Sequence, residues 1–347
     1  MKKYSFVGGI FLLFLSVFFF NAAFSADKPK EARPAIPLGL DEKAFYVPED
    51  NPMTPEKIEL GRTLFFDKRL SRNDTISCAN CHIPSLAFTD GQAVSSGIHH
   101  LQGGRSAPTA INRAFSKGQF WDGRAGTLEE QSVGPFAASV EHGFVTYDDM
   151  LAKMNKIEGY KVEFKKVFGT GITMDGVGKA IATFQRTLLS GNSPFDRYEK
   201  AKDEKAISDS AKRGLALFRG KARCGVCHTG FNFTDERFHN LGIGWDTATP
   251  DVGRYIVTKE QREIGAFKTP TLREISRTAP YMHDGRFASL DEVVEFYNQG
   301  GIKNPFLDPI VMPLHLTKEE KKNLVAFLNT LNGEGWQQVK GPDSFPE

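Results

Sequence analysis

Apolar positions along the chain recur mostly at helical spacing. Thr54 is a candidate cap with Pro55 at the first helical position, and Ile58, Leu60, Leu64 and Phe65 then form one stripe. Ser208 and Ser210 are candidate caps for a second helix carrying Leu215, Leu217 and Phe218. A third runs from Leu290 to Tyr297. A fourth starts at Thr317, where Glu320 completes a capping box, and continues through Leu324, Phe327, Leu328 and Leu331 to Gly333. Alternating patterns are weak throughout, so the fold class is mainly α.

The N-terminus departs from this pattern. Lys2 and Lys3 precede an apolar run from Phe6 to Phe20, and Ala23-Phe24-Ser25 places small residues at both cleavage positions. Residues 1–25 therefore read as a secretory signal peptide. The alternative is a retained anchor, but the run falls short of the roughly 20 residues needed to span. Residues 26–51, rich in Pro, Lys and Glu, read as an exposed leader.

An internal repeat organises the remainder. Gly61, Leu64 and Phe65 recur as Gly214, Leu217 and Phe218, and Phe88-Thr89-Asp90 recurs as Phe233-Thr234-Asp235. Pro108-Thr109 recurs as Pro270-Thr271, and Trp121-Asp122-Gly123-Arg124 recurs as His283-Asp284-Gly285-Arg286. Both of these last pairs are 162 residues apart, 108 to 270 and 121 to 283. With 40% hydrophobic and 25% charged residues, the chain has enough apolar material for two cores. It reads as two tandem domains, 52–205 and 206–347, facing one another, each with a C-x-x-C-H run that makes it cytochrome c-like.

The candidate chemistry sits at the same place in each half. Ser77-Cys78-Ala79-Asn80-Cys81-His82 and Arg223-Cys224-Gly225-Val226-Cys227-His228 are both C-x-x-C-H runs and contain every cysteine of the chain. Two thiols at this spacing form thioethers to the vinyl groups of haem, and the following His offers imidazole to the iron. A redox dithiol or half of a zinc site are the alternatives to two covalent haem c groups. Covalent haem attachment accords with export, and the expected location is the periplasm. Losing Lys2 and Lys3 brings the formal charge of +2 to zero, which implies no nucleic-acid partner.

The repeat also compares the two open faces. Tyr297, moved back by the same 162 residues, falls on Pro135, which has no side-chain donor. The second iron is then a candidate for closure by Tyr297 while the first stays open. On spacing alone, Tyr297 reads first as an aromatic on the buried side of a helix.

Together the two C-x-x-C-H motifs, Phe120-Trp121-Asp122-Gly123-Arg124 and Thr278-Ala279-Pro280-Tyr281-Met282-His283-Asp284-Gly285 resemble the di-haem cytochrome c peroxidase and MauG superfamily over nearly the whole mature chain. The resemblance implies that the N-terminal haem, with His82 as proximal ligand, reacts with hydrogen peroxide. The C-terminal haem, with His228, then transfers electrons. Tyr297 stands where the peroxidase branch has Met and the MauG branch has Tyr, which favours the oxidised states of the second haem. Met282 and Met312 are other candidate sulfur ligands, and His283 is a partner for a propionate.

The resemblance further implies a distal pocket of Gln131, Pro135 and Glu141. Glu141 is the acid/base and Gln131 orients the peroxide, although Glu141 by itself would read as a solvated carboxylate. Trp121 corresponds to the tryptophan between the haems. In the Gly91–Arg105 loop, His99 is a candidate resting ligand of the first iron. A calcium site is implied near Thr278 and Pro280, with Ser106 standing where the family has Asn. The expected activity is a peroxide-dependent oxidoreductase of cytochrome-c peroxidase type. Its partner is a small periplasmic donor, cytochrome c or cupredoxin, or alternatively a protein substrate as in MauG. A homodimer is within what the resemblance allows. A non-enzymatic electron carrier with both irons closed is the reading from another class, and Pro135 argues against it.

Overall fold

The computed structural model describes residues 1–4 and 31–347, and the body of the molecule is residues 31–347. The apolar run Phe6 to Phe20, the cleavage position at Ser25 and the start of the leader fall outside the described residues. The helices are α1 (Pro55–Phe66), α2 (Cys78–Cys81), α3 (Leu128–Val133), α4 (Tyr147–Met154), α5 (Glu158–Phe168), α6 (Met174–Gln185), α7 (Pro194–Glu199), α8 (Asp209–Arg219), α9 (Tyr255–Thr258), α10 (Leu290–Gln299) and α11 (Lys318–Leu328). Two short antiparallel strands, β1 (Phe238–His239) and β2 (Phe267–Lys268), complete the regular structure among the described residues. No helix among them is long and apolar enough to cross a membrane.

Local chemistry starts these helices where expected. Thr54 Oγ1 accepts from the Lys57 amide at 3.2 Å, with Pro55 at the first position of α1. Ser208 caps α8, whereas Ser210 lies inside it and donates to Asn323 Oδ1 of α11 at 2.6 Å. Thr317 and Glu320 form the capping box of α11, which tightens into a 3-10 turn over Asn329–Leu331. Ser289 caps α10, and Gly300, at φ 84°, ends it.

The sequence repeat proves to be a packing repeat. α1 lies against α6, and α8 against α11. At Gly61 a Cβ would collide with the Ala180 carbonyl, and at Gly214 with the Asn323 carbonyl, so glycine permits both close crossings. One turn on, Phe65 meets Phe184 with ring centroids 5.2 Å apart, and Phe218 meets Phe327 at 5.0 Å. One large hydrophobic cluster gathers around Leu64, Phe65, Phe88, Phe136, Phe164 and Phe184. Another gathers around Leu215, Phe218, Phe233, Val294, Leu324 and Phe327. Each buried Phe contributes roughly 1.5–3 kcal/mol.

The leader, where it is described, is only partly exposed. Phe45 and Met53 are buried in a third cluster with Ala114 and Leu189, joined by Ile36, Leu40 and Val47. Asn51 is 0% exposed and donates to Glu129 Oε1 at 2.7 Å and to the Lys179 carbonyl at 3.0 Å. Further back, the Gly39 carbonyl accepts from Arg273 at 3.2 Å. Proline and scattered apolar residues deprive this strap of a period, yet its side chains still find a core.

Candidate functional site

Each C-x-x-C-H motif is held by the same local device. Cys78 and Cys81 sit on α2, whose Ser77 amide donates to Asn80 Oδ1 at 3.0 Å. Next to it His82 bonds through Nδ1 to the Phe88 carbonyl at 3.0 Å, and His228 bonds likewise to the Phe233 carbonyl at 3.0 Å. Phe88 and Phe233 both have left-handed backbone, φ 58° and 51°. The repeated Phe-Thr-Asp therefore supplies an oriented carbonyl. A carbonyl only accepts, so each Nδ1 carries the proton and Nε2 keeps its lone pair. Burial lowers the pKa of both imidazoles and favours the neutral form a metal needs.

The cysteines fit thioether formation better than the alternatives. No disulfide joins either pair. Burial pushes the Cys78 thiol up to about 12, Cys81 to about 11 and Cys224 to about 12. Among the described residues, the one group of three His, Cys, Asp or Glu side chains spaced for an ion is Cys227, Asp235 and His239, which uses a single cysteine. Each motif opens instead into a cavity walled largely by apolar side chains, and the donor set fits a haem in both.

The two cavities differ in their lining. The one reached by Cys81 and His82, about 440 Å³, also presents Gln131, Pro135 and Glu141. Burial raises the Glu141 pKa, and the Arg124 guanidinium partly opposes this. Arg124 in turn lies 3.6 Å from the Phe120 ring centroid and pairs with Asp122. Gln131 Oε1 accepts from Gln185 Nε2 at 3.3 Å. The neighbouring His142 bonds to the Leu70 carbonyl at 2.8 Å and is pushed down to about 4 by burial, which makes it a structural, neutral imidazole.

The cavity reached by Cys224, Cys227 and His228, about 190 Å³, presents Tyr297 from α10. Burial, then the two neighbouring cysteines, raise the Tyr297 pKa, and nothing in its surroundings lowers it. Met282 and Met312 line the same cavity, but Met312 is 42% exposed and its sulfur accepts from Arg223 at 3.0 Å. Trp121 lines both cavities, its indole N–H donating to the Ser106 carbonyl at 2.8 Å. His283, its repeat partner, stacks on Phe267 with centroids 3.6 Å apart.

His99 is not brought to His82. It is exposed and absent from the cavity lining, as is His100. The anchor of that loop is Ile98, 4% exposed, whose amide donates to the Glu141 carbonyl at 3.0 Å. Burying Ile98 turns the two histidines outward. At the expected calcium position, the Thr278 hydroxyl donates to the Ile275 carbonyl at 3.2 Å, and the Ser106 amide donates to the His283 carbonyl at 2.7 Å.

Sequence reasoning missed Lys268, Glu236 and Arg113. Lys268 lines both cavities, and its amide donates to the Trp121 carbonyl at 2.8 Å. The available signal was a lone lysine within Ala266-Phe267-Lys268-Thr269-Pro270, just before a repeated Pro-Thr.

Residues 55–205 match the family model for di-haem cytochrome c peroxidase. The methylamine utilization protein MauG of Methylorubrum extorquens is 43% identical over 291 residues, covering 83% of this chain and 81% of that protein. The cytochrome-c peroxidase IdrP1 of Denitromonas iodatirespirans is 40% identical over 320 residues, 82% of this chain and 84% of that one. A crystal structure of a MauG-like protein associated with microbial copper homeostasis superposes with a TM-score of 0.76 at 32% identity, over 90% of this chain and 96% of that one. The chain belongs to the di-haem cytochrome c peroxidase family. Its activity class is accordingly a peroxidase-type oxidoreductase.

Proposed function

We propose that residues 52–205 and 206–347 are two cytochrome c-like domains, each holding one covalent haem c, and that hydrogen peroxide reacts in the first. Cys78, Cys81 and His82 would hold one haem, and Cys224, Cys227, His228 and Tyr297 the other. A bound haem supplies an iron that changes oxidation state and a position for a small oxidant. Pro135, which shares the cavity with His82, offers no donor atom and so would leave a haem held there without a second protein ligand from that residue. The Glu141 carboxylate would carry a proton from one peroxide oxygen to the other, so that the second could leave as water, with the two electrons for O–O cleavage supplied by the haem held at His82. Gln131 orients the peroxide by hydrogen bonding. Trp121 passes electrons between the cavities.

One observation carries this reading: the cavities of the two histidines are lined unequally. Glu141, Gln131 and Pro135 line one cavity, Tyr297 lines the other, and Trp121 lines both. The test is one equivalent of hydrogen peroxide added to the ferric, haem-loaded protein, followed by stopped-flow absorbance. A fast spectral change supports an iron open at rest. Reaction only after one electron has been added points to an iron closed at rest by a protein side chain, against the open position proposed. No reaction in either state overturns the proposal.

The electrons would come from a small periplasmic cytochrome c or cupredoxin. A second reading, in which the oxidising equivalents reach residues of a partner protein, is favoured by the Tyr297 side chain in the His228 cavity. A phenol oxygen holds the second iron in its oxidised states, where a thioether would favour the reduced one. Tyr297→Met should therefore raise the midpoint potential of that haem, which spectroelectrochemistry reads directly.

Export to the periplasm rests on residues 1–25, and N-terminal sequencing of the mature protein tests it. Calcium beside Thr278 and Pro280 would be held by neutral oxygens, which makes the proposed site weak. Chelation followed by loss of the peroxide reaction, restored by added calcium, supports it. Size-exclusion chromatography with light scattering tests the homodimer.

A further inference from the structure

Lys268 is a buried cation with spare donors. Its side chain is 5% exposed, and among the described residues its ammonium makes one hydrogen bond, to Glu236 Oε1 at 3.1 Å. An ammonium has three donors, so two are without a partner in a place water scarcely reaches. Glu236 is itself shared, accepting from the Ser116 hydroxyl at 2.9 Å and from the Lys117 amide at 3.1 Å. Arg113, also on the wall of the His82 cavity, bonds only to neutral oxygens of Gln119 and Gly118. Two cations thus face Glu236, while the Asp235 carboxylate acts on Lys268 more weakly and is itself bonded to His239, and both cationic residues line the space that the haem reading fills.

Burial lowers the Lys268 pKa to about 8, with Arg113 adding to the effect and Glu236 opposing it. A positive charge left in this setting is stabilised by an anion placed within the cavity. The carboxylate side chains of a tetrapyrrole have that chemistry. Lys268 also belongs to the wall that the two cavities share, along with Trp121 and Pro270.

We propose that Lys268, with Arg113 beside it, is the cationic seat for the carboxylates of the haem held at His82, and that its place in the shared wall makes it raise the reduction potential at both irons. A cation stabilises the more electron-rich state of a nearby centre, and in a buried site this effect is weakly screened. Lys268 is a positioning residue here, acting through the cofactor.

The inference rests on the reading that each motif holds a haem. Spectroelectrochemical titration of loaded wild type, Lys268→Met, Lys268→Arg and Glu236→Gln tests it, with haem content measured in each. Lys268→Met should move both midpoints to more negative values, while Lys268→Arg leaves them near wild type. Glu236→Gln breaks the same ion pair but removes the anion, so it should move them to more positive values. A shift of the same sign in Lys268→Met and Glu236→Gln would mean general loosening and overturn the proposal. Unmoved midpoints in Lys268→Met would also overturn it, and movement of one haem alone would overturn the shared role. Wild type without haem c would instead sink the underlying reading.

Discussion

Trp121 meets His283 edge-on, with ring centroids 6.4 Å apart and planes at 66°. The two residues occupy the same place in the two halves of the sequence repeat, and the fold brings them together. Replacing Trp121 with Leu should slow electron exchange between the two haems while cyanide binding to the ferric protein stays as in wild type. Flash photolysis of the carbon monoxide complex of the half-reduced protein reads the first quantity, and an optical titration reads the second.

In the proposed mechanism Glu141 sets the acid limb of the peroxide reaction. Its carboxylate must be ionised to take a proton, and burial raises its pKa above the ordinary value of about 4.3. The second-order rate constant should therefore fall as pH drops, beginning at a higher pH than for a solvated carboxylate. Glu141→Gln should slow the reaction by about 10²–10⁴-fold and abolish that limb. A pH profile of both proteins by stopped flow checks the pair of expectations.

Gly61→Ala and Gly214→Ala should each destabilise the fold by about 1–3 kcal/mol, because the added methyl meets a backbone carbonyl of the facing helix. Chemical denaturation compares the two. Equal losses at the two positions would mean that the helix pairs are equally rigid.

Asp196 and Arg273 form a fully buried pair, 2.7 Å and 3.0 Å between the guanidinium nitrogens and the carboxylate oxygens, with side chains 1% and 0% exposed. Asp196→Asn leaves an uncompensated guanidinium and should cost about 3–5 kcal/mol in denaturant titration. Changing both residues to apolar ones of similar volume should recover much of that loss.

His99→Ala should leave the resting optical spectrum and the rate of cyanide binding unchanged, since the imidazole is exposed and outside the cavity. Ile98→Ala should instead cost about 2–5 kcal/mol, because it empties the anchor of the loop beside Glu141. Thermal melts and cyanide kinetics on both variants separate the two effects.

Much of this was legible because it is local. The caps at Thr54, Ser208 and Thr317 need only neighbours three residues away, and the C-x-x-C-H runs and the repeat are written in sequence order. What was hidden depends on residues far apart. The partner of Lys268 is 32 positions away, that of Asp196 is 77 away, and the strap before Met53 has no period until the core it joins is known. The outward turn of His99 follows from the burial of its neighbour Ile98, which a glycine-rich loop does not announce.

Segments near both ends of the described chain reach across to the other half. Gly39, near the start, bonds to the Arg273 that pairs with Asp196. Trp336, near the end, packs against Phe88 in the cluster built around Phe65 and Phe184. Such crossing over makes the molecule poorly modular. A gene cut at Lys205 would give two fragments that each carry a piece of the other's clasp and lack their own. The halves are better treated as one indivisible cassette, to be moved or fused whole.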